Sequence, residues 1–307
     1  MKINKKFLQF YASLLILIFH LWLPVTQSGV ENFIIKTGYV GVDIFFFLSA
    51  YSLADKQIKY PEFIRNRFLT IYGKFLIFVI AAAVYKGVSV SKTIKILTLV
   101  EFFQRGGGSF LWFIPAILIF YLLYPLFTGW KFRYKALIVL LAWLGLSFIL
   151  DYFTGYTRVF IFTNRIPVIM LGYFVKTKKI SIPKLVYAGA IVVGIALLYF
   201  AGYKIKLDIP FKDIYFVAGV VLTLGVCGIS SMIPESKVWN VLGMGTLELY
   251  ALQMICGANL VFGIRRIVNN NIITNIIVVI VMYAVSIGIA KLFAVIDKAV
   301  IGNIRKQ

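Results

Sequence analysis

The chain has 307 residues, 61% of them hydrophobic and 14% charged, with a mean hydropathy of +0.93 and a formal net charge of +21. Soluble domains carry about 25% charged residues, so the composition excludes a water-soluble globular protein. Alternating ten-residue strands are absent from the sequence, which disfavours a membrane barrel. The basic excess would suggest nucleic acid on a soluble protein. Here it lies mainly in short tethers between apolar runs, where orientation and anionic headgroups account for it, and no nucleic-acid partner is expected.

Apolar length and charged or turn-rich breaks predict an all-α, polytopic bundle of about ten spans in a single domain, 1–307. The predicted limits are 7–25, 38–54, 67–87, 109–128, 135–152, 158–175, 184–202, 213–232, 239–262 and 273–297. The first run follows Lys2, Lys5 and Lys6, as a signal peptide would. Its apolar length from Phe7 to Val25 is too great for an h-region, and no small-x-small site follows, so it is read as a retained helix. With the N-terminus inside, the inner segments hold 18 Lys and Arg against 11 in the outer ones. That bias places both termini in the cytoplasm.

Titratable groups within spans are costly and usually serve a function. His20, the only histidine, lies five residues before the outer end of span one, and Asp43 five residues after the outer start of span two. At about 1.5 Å per residue, an antiparallel hairpin puts both at one level in the outer half. A histidine–carboxylate pair is then open, with Asp43 fixing the tautomer and raising basicity. Rotation about each helix is not set by spacing, and an interhelical hydrogen bond is the plainer role for His20.

Lys56, Lys59, Arg65 and Arg67 precede span three, while Lys74 and Lys291 lie near span ends and snorkel. In the outer segment VSVSKTIKILTLVEFFQRGGG, the spacing of Val90, Ile94 and Leu97 predicts a short interfacial helix before a flexible glycine run. That segment is a connector, or a lid facing the acceptor. Trp112 opens span four, where it serves as interface belt or stacks on a sugar ring. Tyr121 and Tyr124 are read as packing residues. Arg165, in FTNRIPVIMLGYF, should lie about 10 Å into span six. Glu248, in LGMGTLELYALQ, is expected near mid-depth, and the two are candidates for a buried ion pair. Cys227 and Cys256 lie in apolar runs without metal-type spacing, so neither a disulfide framework nor a metal site is expected.

Taken in order, LLILIFH, GVDIFFFLSAY, FIRNRFLTIY, LWFIPAILIFYLLYP and LGMGTLELYALQ resemble the acyltransferase 3 family. These are integral membrane O-acyltransferases that modify cell-surface polysaccharides and related acceptors. The resemblance runs roughly through spans one to nine and is strongest at GVDIFFFLSA, around Asp43. It implies a cytoplasmic acyl-CoA donor, usually acetyl-CoA, and a cell-surface glycan or its lipid-linked precursor as acceptor at the outer face. It also implies a multi-pass protein of a bacterial plasma membrane, in contact with membrane lipids, with His20 as the base. The family's arginine eleven positions before the histidine falls at Gln9. Its paired arginines three apart fall at Arg67 and Thr70, with Gly73 at the usual proline and Arg65 as a substitute. The late motif ends at Gln253, where many relatives have histidine.

The expected function is therefore transfer of an acetyl group from acetyl-CoA to a sugar hydroxyl of an extracytoplasmic glycan. A hydroxyl is a poor nucleophile at neutral pH, and a positioned base contributes ~10²–10⁴ in rate. A histidine, with a pKa near ~6.5, suits that task. Arg65, Arg67, Lys56 and Lys59 are candidates for binding the CoA phosphates. Trp112, Arg165, Glu248 and Tyr250 are candidates for the acceptor. No glycine-rich nucleotide loop is visible, so neither ATP nor a dinucleotide is expected. The alternative is a transporter of a polysaccharide intermediate or small molecule, with Arg165, Glu248, Asp43 and His20 lining its path.

Overall fold

A backbone in lipid has no water to bond, so an apolar chain of this kind closes its hydrogen bonds inside helices. In the computed structural model, which describes residues 2–26, 28–154, 160–178, 183–200 and 213–304, helix is the only regular structure. Arg158, Lys179, Lys204, Lys206, Lys212, Arg305 and Lys306, all counted in the charge bias, lie outside the described residues. The chain packs as two compact units. A terminal unit comprises Asn4–Gly41 with Met232–Gln307, and a middle unit comprises Val42–Ser231 with Met1–Ile3.

In the terminal unit, α1 (Lys5–Leu21) starts at an Asn4 cap whose side chain accepts from the Phe7 N–H at 3.0 Å. The Asn4 amide also donates to the carbonyls of Ile233 and Pro234, at 3.2 and 3.0 Å, tying the first helix to the returning chain. α1 stops at Leu21 rather than Val25, and Pro24 lies just beyond. α2 (Gly29–Thr37) was not expected as a helix. Ser28 caps it by accepting from the Glu31 N–H at 3.2 Å, and it runs with α3 (Val40–Leu53) as one 25-residue apolar stretch.

The middle unit contains most of α3 and everything to Ser231. α4 (Tyr60–Arg67), with Pro in its first turn, passes through a wide π-turn, Phe68–Tyr72, into α5 (Gly73–Lys86). The basic stretch expected before span three is thus partly helix, and the span opens at Tyr60 instead of 67. The Thr70 hydroxyl donates to the Asn66 carbonyl at 2.8 Å within this turn, and such π-turns frequently mark functional positions.

α6 (Val90–Leu97) is the short helix expected outside span three. It is followed by α7 (Val100–Arg105) and a tight 3₁₀ turn of Gly106–Gly108 where a flexible run was expected. Leu99 and Leu111 adopt left-handed backbone there, with φ of 61° and 55°. α7 with the glycine turn is bent by 119° from α8 (Phe113–Gly129), as in a broken span or re-entrant loop. The unit is completed by α9 (Lys135–Thr154), α10 (Phe160–Thr163), α11 (Ile166–Thr177), α12 (Lys184–Tyr199) and α13 (Asp213–Ser230), the last two packed together.

The chain returns to the terminal unit as α14 (Lys237–Leu242) and α15 (Thr246–Leu252). The expected span 239–262 is broken between them, because Gly245 takes a φ of 70° that side chains rarely tolerate. A second wide turn, Gln253–Gly257, leads into α16 (Ala258–Val268), and α17 (Asn271–Ile304) closes the chain. Leu17 and Leu21 of α1 pack with Leu249, Val261, Val278, Met282 and Tyr283 as this unit's core.

Among the described residues, four stretches are long and apolar enough to cross a membrane: Gly29–Leu53, Tyr60–Lys86, Thr246–Val268 and Asn271–Lys298. The bent pair of α7 and α8 makes a fifth, and Lys135–Leu146, Lys184–Tyr199 and Val217–Ser230 are shorter apolar helices. Large apolar side chains such as Val84 and Leu185 are more than 75% exposed, as expected of surfaces that face hydrocarbon.

Candidate active site

Asp43 lies in the first turn of α3 and is fully buried. A carboxylate there needs a partner, because an isolated ion out of water costs several kcal/mol, about the stability of a small domain. The partner is Arg165, which caps the N-terminus of α11: Nη1 lies 2.8 Å from Asp43 Oδ1, and both side chains are almost wholly enclosed. α13 approaches the other oxygen so closely that a Cβ on Gly219 would meet Oδ2 at 2.6 Å. Only glycine leaves room for the carboxylate. One buried ion pair thus joins α3 and α11, with α13 packed against it.

Sequence reasoning offered Asp43 to His20 and Arg165 to Glu248. Within the middle unit the structure joins Asp43 to Arg165. Helix spacing fixes depth but not rotation about the axis, and rotation decides which neighbour a side chain meets. Gly219 was missed altogether, since nothing in the run VAGVVLTLG marks one glycine as a contact for a carboxylate.

The second feature of the middle unit is an open cleft of about 370 Å³ between the end of α3 and α4. Lys56, Lys59 and Arg67 line it, with the amide side chains of Gln57 and Asn66 and one acid, Glu62. The Arg67 guanidinium lies over Tyr121 of α8 at 4.9 Å and over Phe63 at 5.3 Å from the ring centroids. It is thereby held in place by cation–π contact. Arg65 is exposed and does not line the cleft, so its expected place beside Arg67 is corrected. Two residues apart on a helix are about 200° apart around it, and the two arginines cannot share a face. Beside the cleft, Lys176 pairs with Asp55 at 2.9 Å, and that hydrogen bond holds its ammonium above the ordinary lysine range.

In the terminal unit, His20 sits in the last turn of α1, exposed, with the Phe19 ring edge-on at 5.0 Å. Glu248 and Tyr250 are both buried in α15. Glu248 belongs to that helix's first turn, not to the middle of a continuous span, because the Gly243–Gly245 break restarts the helix beneath it. Gln253, at the start of the second π-turn, is buried, and its Oε1 accepts no hydrogen bond among the described residues. A buried acceptor left open in this way can take a hydroxyl or N–H donor from a bound molecule. Trp112, in the middle unit, precedes α8 with its ring half-buried against Phe113.

A family model described as an acyltransferase domain matches residues 6–295. The chain belongs to the acyltransferase 3 family. The match takes in most of both compact units and the candidate site residues His20, Asp43, Lys56, Lys59, Arg67, Trp112, Arg165, Glu248 and Gln253. No curated relative and no solved structure matches the chain. The single imidazole belongs to the terminal unit, while the cleft lined by Lys56, Lys59 and Arg67 and the buried ion pair between α3 and α11 belong to the middle unit.

Proposed function

We propose that this acyltransferase moves an acetyl group from acetyl-CoA to a sugar hydroxyl of an extracytoplasmic polysaccharide or its lipid-linked precursor, in a bacterial plasma membrane. The observation that carries this reading is the family match over 6–295. In the proposed reaction His20 takes the acceptor hydroxyl's proton as its oxygen attacks the thioester carbonyl. The tetrahedral oxyanion collapses, the C–S bond breaks, and CoA leaves as a thiolate that receives the proton from the imidazolium. General-base assistance of this kind contributes ~10²–10⁴ in rate.

Lys56, Lys59 and Arg67 hold the CoA phosphates in this reading, through charge-assisted hydrogen bonds. Both termini are cytoplasmic, about ten helical runs cross or enter the bilayer, and the cleft faces the donor from inside. Gln253, in the same compact unit as His20, is a proposed acceptor contact. Asp43 and Arg165 act on the reaction through the middle unit's packing. Purified protein in liposomes tests this directly, supplied with acetyl-CoA and an oligosaccharide acceptor. The expected result is free CoA thiol and an O-acetyl ester, each dependent on the other substrate. Movement of the oligosaccharide across the bilayer with no ester formed would replace the enzyme by a transporter.

A further inference from the structure

α1 ends one residue after His20, and the next five residues, 22–26, leave the helix. A short connector between helices needs only to turn the chain. Here it is gripped from two sides by side chains of the same compact unit. From α2, Glu31 Oε1 accepts from the Val25 N–H at 2.7 Å and from the Trp22 indole N–H at 3.4 Å. Its Oε2 accepts from the N–H of Thr26 at 2.5 Å and from the Thr26 hydroxyl at 2.7 Å. From α17, the buried Asn275 amide bridges Leu23 in both directions, accepting from its N–H at 2.9 Å and donating to its carbonyl at 2.8 Å. Asn271 donates to the Pro24 carbonyl at 2.6 Å.

Every residue from Trp22 to Thr26 is therefore held by a side chain of α2 or α17. The apolar core of the unit already fixes α1 further back, at Leu17 and Leu21. The additional bonds fix the direction in which the chain leaves the helix, and His20 lies in the final turn before that exit. A catalytic group must be held within about 0.5 Å and 10–20° of its productive geometry. A last helical turn is where a helix otherwise frays.

We propose that Glu31 and Asn275 are positioning residues for His20: clamping the exit of α1 keeps the imidazole aimed at the acceptor hydroxyl. This rests on the reading of His20 as the base. Neither residue touches the reacting atoms.

Because His20 is the only histidine, ring-labelled histidine gives an NMR signal from that side chain alone in protein purified without a histidine tag. The variants are Asn275→Leu, which removes both bonds to Leu23, and Glu31→Gln, which replaces an acceptor oxygen by a donor. Glu31→Asp retains the charge and serves as the conservative variant. The wild type should give one imidazole resonance set, and Asn275→Leu and Glu31→Gln shifted or multiple sets. Turnover should fall roughly tenfold to a hundredfold, the scale of a small misplacement of a reacting group. The KM for acetyl-CoA should not change, and Glu31→Asp should recover part of the loss. Wild-type resonances and turnover in both variants would overturn the proposal. So would lost turnover that follows a lowered thermal midpoint with the imidazole signal unmoved. His20→Ala separates the two claims. If it stays active, the base reading fails; if it is inactive while both clamp variants are fully active, only the positioning role fails.

Discussion

At the scale of single residues, the pair of Asp43 and Arg165 is the clearest case of chemistry fixing structure. Breaking a buried ion pair by removing one partner typically costs about 3–5 kcal/mol, because the other charge is left unpaired. Asp43→Leu and Arg165→Met should each lower stability on that scale in detergent-solubilised protein. The double variant should lose less than the sum, giving a coupling energy in a double-mutant cycle. Additive losses would mean that the 2.8 Å contact contributes nothing of its own. Gly219→Val should destabilise as well, since its Cβ would press on Oδ2. Much of this site was legible: a carboxylate and a guanidinium inside apolar runs announce themselves by cost alone. Their pairing was not legible, because it depends on how α3 and α11 are turned about their axes. The Glu31 and Asn275 clamp was invisible for a related reason. Four of its six bonds go to backbone groups, and any sequence supplies those.

At the scale of elements, α4 carries the functional expectation. Arg67 lines the cleft and is held by two rings, whereas Arg65 is exposed and outside it. Loss of one charge-assisted contact costs about 1.5–3 kcal/mol, tenfold or more in affinity. Arg67→Ala should therefore raise the KM for acetyl-CoA by at least about tenfold on the same scale, and Arg65→Ala should change it little. Arg67→Lys should rescue poorly, since an ammonium does not reproduce a stacked guanidinium. Equal effects at 65 and 67 would count against the cleft as the donor site. Helices with strong apolar runs were readable from sequence, as was the short helix α6. The breaks were not. Gly245 looks like any glycine until its φ of 70° is seen, and α2 has too little apolar character for its length to be read as helix without the Ser28 cap.

At the scale of the whole molecule, membrane class and family followed from hydropathy and the order of five motifs, and the family match spans both compact units. The division into units was not readable. The chain's two ends form one unit around the core of α1, α15, α16 and α17, a long-range pairing that local patterning does not encode. The charge bias predicts that a cysteine placed at Arg105, which is exposed, in a chain with Cys227 and Cys256 replaced, is labelled by an impermeant reagent from outside the cell. Labelling only after permeabilisation would reverse the orientation and with it the side on which donor and acceptor meet. The central claim is His20-dependent acetyl transfer to a glycan, and mass analysis of the surface polysaccharide tests it most directly. Cells with the wild-type chain should carry glycan heavier by acetyl groups, and His20→Ala cells, with the protein equally abundant in the membrane, should carry none. Full acetylation in the His20→Ala cells would contradict the account and leave this histidine a packing residue at the end of α1.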